Sequence, residues 1–240
     1  NLPKLKHIIF PSTMRSFSSN TFNNCPNIET ITLNPGFETF GGNSFNVEGD
    51  GKLIISDLST YFNITWAAPN SFKNFFKACP YFYLKDGNGD LTEITTITIP
   101  QTKLTIPGAI FWKCKSISEV VFHPDIISIE MEAFAACVNL VIQNLNLPNL
   151  TTLGSGAFYN TKVQTVSALG SITSIPNSCF NNCAQLSSVT MPSSLTSIGS
   201  SAFKGCTSLP SINIPSGVTT IGEAAFQNCT ALTSINIPSS

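Results

Sequence analysis

Aligned on its last residues, the chain repeats itself every 23 positions: 195–217 read LTSIGSSAFKGCTSLPSINIPSG and 218–240 read VTTIGEAAFQNCTALTSINIPSS. Residues 172–194, ITSIPNSCFNNCAQLSSVTMPSS, carry the same pattern. Further units begin near Leu150, Ile126 and Lys103, and another occupies 14–36. A unit this short cannot bury its own apolar face, so it gains stability only by stacking on neighbours.

The Phe of each unit sets the register: Phe22, Phe111, Phe134, Phe158, Phe180, Phe203 and Phe226. Five residues earlier stands an apolar residue, as in Ile106, Ile129, Leu153, Ile175, Ile198 and Ile221. Six, nine and eleven residues later come Leu232, Ile235 and Ile237, matched one unit earlier by Leu209, Ile212 and Ile214. Alternation of period two in Ser234-Ile235-Asn236-Ile237 makes a short half-buried strand. The Pro that follows cannot donate to a ladder, so the strand ends there. The GEAAF-type segment has small residues and no β-branched run, which predicts a tight helical or 3-10 turn on the opposite side. The reading is a leucine-rich-repeat solenoid of the α/β class, with parallel strands on a concave face and one Phe per coil in an interior column.

The domain plan is a single repeat domain over 1–240, with 1–13 as a partial coil and 14–36 regular. Residues 37–102 form irregular coils with insertions, and 103–240 form six regular coils. Val47 to Ser59 does not complete a coil, and an aromatic-rich stretch from Tyr61 to Tyr83 follows before Ile94, Ile97 and Ile99 restore the register. Both ends lack the atypical capping repeats that close a solenoid core. The chain therefore reads as part of a longer protein, able to self-associate through its uncapped ends.

The unit LTxIGxxAFxxCxxLxxIxIPxx, read from 195–240, resembles the BspA-like leucine-rich repeat family, surface proteins of mucosal bacteria and parasitic protists. The resemblance covers the chain outside 37–102. It implies a right-handed superhelix, a cell-surface or secreted location, and adhesion to or recognition of a host or neighbouring-cell protein or glycan. Composition agrees in one respect. Charged residues make up 10% of the chain, against roughly 25% in ordinary soluble domains, so Ser, Thr and Asn must cover much of the surface. Its 12 Lys and Arg are scattered, unlike the basic stripe nucleic acid requires, and no apolar run approaches the ~20 residues of a membrane span.

Residues that could carry chemistry mostly follow the repeat. Seven cysteines, Cys25, Cys79, Cys114, Cys137, Cys183, Cys206 and Cys229, stand three after a Phe, and Thr161 replaces the thiol in one coil. That regularity points to small buried side chains. Cys179 lies off the pattern as a candidate reactive thiol. His7 and His123 are several coils apart, so they share no site, and His123 reads as a solvated strand-end residue. Asp86, Asn88 and Asp90 have the spacing of a calcium loop, but Leu91 and Ile97 occupy the places of its Gly and Glu; a plain turn is the simpler reading. Glu48 and Asp50 are a weaker case of the same kind. Asn63, Asn149 and Asn228 begin glycosylation acceptor triplets. No GxSxG, P-loop, HExxH or GxGxxG pattern occurs, and the sequence implies no enzyme, metal or cofactor.

Binding is expected on outward strand residues, from Thr30 and Thr32 to Ser234 and Asn236. The sharpest candidates are Thr96, Thr98, Glu119, Val121, Asn144 and Asn146. Only Glu119 is charged on this face, which is otherwise lined mainly by neutral hydroxyls and amides; these suit a glycan or protein partner, or simply solvate a sheet. Tyr61, Trp66, Tyr81 and Tyr83 form a second candidate set, since Tyr and Trp are favoured at binding hot spots; they could equally plug an irregular core. The leading expectation is a recognition module, and the alternative is a structural spacer or self-assembling surface element.

Overall fold

The computed structural model describes residues 2–40, 45, 49–66 and 80–237, without the side chains of Phe40, Thr60, Thr65 and Trp66. The chain divides into two compact units: Asn1–Thr96 with Phe111–Ile117, and Ile97–Ile110 with Ser118–Ser240.

Unit 1 holds β1 (His7–Phe10), β2 (Thr30–Leu33), β3 (Thr39–Phe40), β4 (Lys52–Ile55), α1 (Leu58–Asn63), β5 (Thr65–Trp66), β6 (Tyr81–Lys85) and β7 (Leu91–Glu93). One sheet runs β1-β2-β4-β6-β7, and β3 pairs with β5. The first four strands are parallel and in straight register: His7, Thr30, Lys52 and Tyr81 form one row across the sheet. Ile9, Thr32, Ile54 and Tyr83 form another. The irregular stretch thus still supplies a coil strand at β4 and again at β6, although its side chains break the motif. It then turns back, and β7 pairs antiparallel with β6.

Unit 2 runs from β8 (Thr96–Thr98), whose first residue clusters with unit 1, through two alternating strand columns. One column contains β10 (Glu119–Val121), β12 (Val141–Asn146), β14 (Lys162–Ala168), β16 (Ser188–Val189), β18 (Ser211–Asn213) and β20 (Ser234–Asn236). The other contains two-residue strands: β9 (Thr105–Ile106), β11 (Ser128–Ile129), β13 (Thr152–Leu153), β15 (Ser174–Ile175), β17 (Ser197–Ile198) and β19 (Thr220–Ile221). Each of these short strands ends on the apolar residue five before the Phe. Strands in both columns of unit 2 pair parallel with those one coil away, as Ser197↔Thr220 and Ser211↔Ser234 show.

The third side of each coil corrects the helical expectation. It is a run of turns, and the only α-helix among the described residues is α1. The residues two before and two after each Phe have left-handed backbone: Glu132 and Ala136, Ser178 and Asn182, Ser201 and Gly205, Ala224 and Asn228. Left-handed geometry costs roughly 1–2 kcal/mol for a residue bearing a Cβ. Hydrogen bonds to the next coil offset it. Ser178 N–H donates to Ser200 O at 2.9 Å, Phe180 to Ala202 O at 2.8 Å and Asn182 to Lys204 O at 2.7 Å. Every second N–H along the segment therefore points along the stack, which a helix would not allow.

Inside unit 2, Phe134, Phe158, Phe180, Phe203 and Phe226 stack with centroids 5.6–5.7 Å apart and planes within 10° of parallel. The first four have no exposed surface, and burying each phenyl contributes roughly 1.5–3 kcal/mol. In unit 1 the rings form clusters of mixed geometry, in which stacked pairs such as Phe22 and Phe45 stand beside edge-on ones such as Phe17 and Phe22. Tyr61 and Phe111 lie 5.9 Å apart, and each lies 4.8–6.3 Å from both Phe62 and Phe82.

Candidate functional site

Alternation along the longer strand column decides which side chains are available. In β10 the buried Val120 is flanked by exposed Glu119 and Val121, and in β8 the buried Ile97 by exposed Thr96 and Thr98. In β12, Ile142 and Leu145 are buried while Gln143, Asn144 and Asn146 are exposed. β12 and β14 are the longest strands of the unit, at 6 and 7 residues. Their register slips between Leu145 and Asn146, which pairs with Ala168 and leaves Ser167 extra. Such bulges re-aim side chains and recur next to binding sites.

Glu119, Asn144 and Asn146 line one groove of about 680 Å3, with Ser118, Gln143, Phe122 and Pro124. The polar ladder continues beside it. Thr165 Oγ1 donates to the Gln143 carbonyl at 2.7 Å and to Asn144 Oδ1 at 3.1 Å, and Gln164 reaches Gln185 at 3.5 Å. The groove offers amide and hydroxyl donors and acceptors, one carboxylate and a half-buried phenyl ring, on a surface with little net charge. Sequence reasoning missed Gln143 and Phe122. The signal for Gln143 was the consecutive amide pair Gln143-Asn144; Phe122 sat in a position that normally faces the core.

The aromatic candidates separate. Tyr61 is buried in the unit 1 core at 1% exposure, so it plugs the coils and presents no binding surface. Tyr81 and Tyr83 are half-buried on one face of β6. Lys52 Nζ stands 4.9 Å from the Tyr83 ring centroid and Lys115 Nζ 5.7 Å from that of Tyr81. Burial pushes the Tyr83 phenol up, and the neighbouring Glu93 adds to the shift. The Trp66 side chain lies outside the described residues.

The remaining candidates resolve into structure. Cys25, Cys114, Cys137, Cys179, Cys183, Cys206 and Cys229 are buried thiols in no disulfide, and Cys79 lies outside the described residues. Their spacing has a hydrogen-bonding reason. Cys183, Cys206 and Cys229 donate to the carbonyls of Phe158, Phe180 and Phe203, one coil back, at 3.0–3.2 Å. Thr161 instead donates to Phe158 O in its own coil at 2.8 Å. Cys179, the candidate reactive thiol, has no exposed surface, and burial pushes its pKa up. His123 is not solvated. It is 4% exposed, and its Nε2 hydrogen-bonds the Lys103 carbonyl at 3.0 Å. The Asp86 carboxylate accepts the N–H groups of Asn88 at 2.9 Å and Asp90 at 2.8 Å, so it shapes the β6–β7 hairpin turn. Among the described residues no cluster of His, Cys, Asp and Glu could hold a metal ion. Nor is any helix there long and apolar enough to cross a membrane.

Comparison with known proteins adds the following. The family model described as BspA type leucine rich repeat region matches in six copies, over residues 1–78, 89–203 and 151–240. A leucine-rich repeat protein from Eubacterium ventriosum is similar in structure, with 18% identity and a TM-score of 0.51, over 98% of this chain and 85% of that one. The pneumococcal vaccine antigen PcpA is similar at 18% identity with a TM-score of 0.57, over 98% of this chain and 61% of its own. A leucine rich cell surface protein from Faecalibacterium prausnitzii aligns at 19% identity with a TM-score of 0.40, over 98% and 88%. At 18% identity the first two likenesses establish the fold alone. No curated protein matches the sequence.

Proposed function

The chain belongs to the BspA-type leucine-rich-repeat family, a family of surface proteins, and on that premise we propose that it is a non-catalytic recognition module displayed outside the cell. Its outward strand face in unit 2 binds a protein or glycan partner, as an adhesin does. One observation carries this reading: three residues singled out by strand register, Glu119, Asn144 and Asn146, line a single groove where the strands are longest and a bulge interrupts them. A groove of that size lies within the roughly 300–1,000 Å3 typical of ligand sites. Neutral amides and hydroxyls recognise by directional hydrogen bonds, so affinity should respond weakly to salt. The scaffold residues are absorbed by the coil itself, which leaves specificity to the variable outward positions.

The test is saturable binding of the purified protein to an array of extracellular-matrix proteins and host glycans. One variant changes Tyr81 and Tyr83 to Ser, and another changes Thr98, Glu119 and Val121. Saturable binding lost in the second folded variant supports the reading. Absence of any binding at tens of micromolar, roughly −6 kcal/mol, counts against recognition and favours a spacer.

A further inference from the structure

A second groove, of about 830 Å3, runs along the N-terminal ends of β1, β2 and β4 in unit 1. It has a local cause. Continued two residues back from His7, Thr30 and Lys52, the strand register sets Leu5, Ile28 and Asp50 in one row, so the third coil places a carboxylate where an apolar anchor is due. Asp50 lies between Gly49 and Gly51, which add no side chain to fill the space, and its own side chain is 71% exposed. The walls carry Lys4, Lys6, Glu29, Asp50 and Lys52.

The charges are unevenly matched. Lys6 pairs with Glu29 at 2.7 Å and Lys115 with Asp50 at 2.6 Å. Among the described residues Lys4 and Lys52 make no ion pair. Lys52 rests over Tyr83, and Lys115 bridges from Asp50 on the groove wall to the Tyr81 ring. Tyr81 and Tyr83 stand on the same face of β6, about 6.6 Å apart along the strand. The groove therefore combines unmatched ammonium groups, carboxylates already held by cations and a pair of aromatic rings at its edge.

We propose that this groove binds an acidic saccharide, a short chain of pyranose rings bearing carboxylates. The ligand carboxylate is taken by Lys52 and Lys4, its hydroxyls donate to Glu29 and Asp50, and a ring stacks at Tyr81. A paired carboxylate keeps acceptor lone pairs for hydroxyl donors, which a sugar acid supplies. An acidic peptide carries the carboxylates but lacks those hydroxyls. The volume also lies within the roughly 300–1,000 Å3 of small-ligand sites. The inference rests on the recognition reading but uses a site apart from the unit 2 groove.

The experiment is calorimetric titration of the whole chain with tetragalacturonate, maltotetraose and a hexaglutamate peptide, at low and high salt. Expected is saturable binding of tetragalacturonate alone, weakened by salt. It should fall about fivefold or more in Lys52→Gln and in Tyr81→Ala, both checked for folding by circular dichroism. Asn144→Ala, in the unit 2 groove, should leave it unchanged, so failure of one site is separable from failure of the other. Equal affinity for maltotetraose or for hexaglutamate would overturn the proposal. So would an unaltered Lys52→Gln affinity, or no tetragalacturonate binding up to about 10 mM.

Discussion

Replacing Phe203 with Ala tests the interior column at its most enclosed point. Phe203 has no exposed surface and lies between Phe180 and Phe226, 5.6 Å from each centroid. Burial of the phenyl group contributes roughly 1.5–3 kcal/mol, and each stacked pair about 0.5–1.5 kcal/mol more. The neighbouring coils cannot close over the gap. Phe180 N–H to Ala202 O and Phe203 N–H to Ala225 O, both 2.8 Å, hold the coil spacing. The expected loss is therefore about 3–5 kcal/mol, the range for emptying a large core site. Phe226 is half-exposed and has one stacked neighbour in the described column, so Phe226→Ala should cost about half as much. Urea denaturation followed by far-UV circular dichroism measures both. A Phe203→Ala loss below ~1 kcal/mol, or equal losses for the two variants, would refute the column.

Other substitutions probe the stacking geometry. At Gly199 an added Cβ would lie 2.6 Å from the Asn177 amide nitrogen and 2.8 Å from the Pro176 carbonyl carbon; Gly199→Ala should lower stability by about 2 kcal/mol or more in urea melts. Gly87→Ala, with nothing within 4 Å of the new atom, should be nearly neutral. Ser201, at φ 56°, should gain up to about 1 kcal/mol on change to Gly, and a loss above that would deny the strain. Burial holds the Cys183 thiol up at about 11, against an ordinary 9.0. The unfolded chain releases that proton first, so stability should be constant below the ordinary thiol range and fall as pH rises through about 11. In Cys183→Ala that part of the alkaline loss should disappear from pH-dependent melts.

The repeat made the stacking, the strand register and the Phe column legible, because each depends on apolar side chains at fixed intervals. The turn side was not legible. Left-handed positions carry Asn160 and Gly205, which advertise that backbone, but also Lys113, Glu132 and Ala224, which do not. What selects the conformation there is the hydrogen bond to the next coil, a tertiary interaction with no local signature. β4 and β6 were missed for a related reason: their pairing is between backbones, so Asp50 and the tyrosines could break the side-chain pattern without breaking the sheet. Of the candidate site, alternation identified Glu119, Asn144 and Asn146 as outward. It could not foresee that Gln143 and Asn144 are exposed in succession, or the bulge that follows between Leu145 and Asn146. The burial of Tyr61 depends on packing against Phe82 and Phe111, distant in sequence.

The central claim is that recognition occurs on the outward strand face of unit 2, and the direct test is the affinity of an array-identified partner for matched variants. One variant combines Glu119→Gln, Asn144→Ala and Asn146→Ala; its control changes the turn-side residues Glu223→Gln and Gln227→Ala. The account predicts at least a tenfold weakening, about 1.4 kcal/mol, in the first variant at an unchanged urea midpoint, and no change in the control. Equal affinity for both variants, or a loss confined to the control, would contradict it.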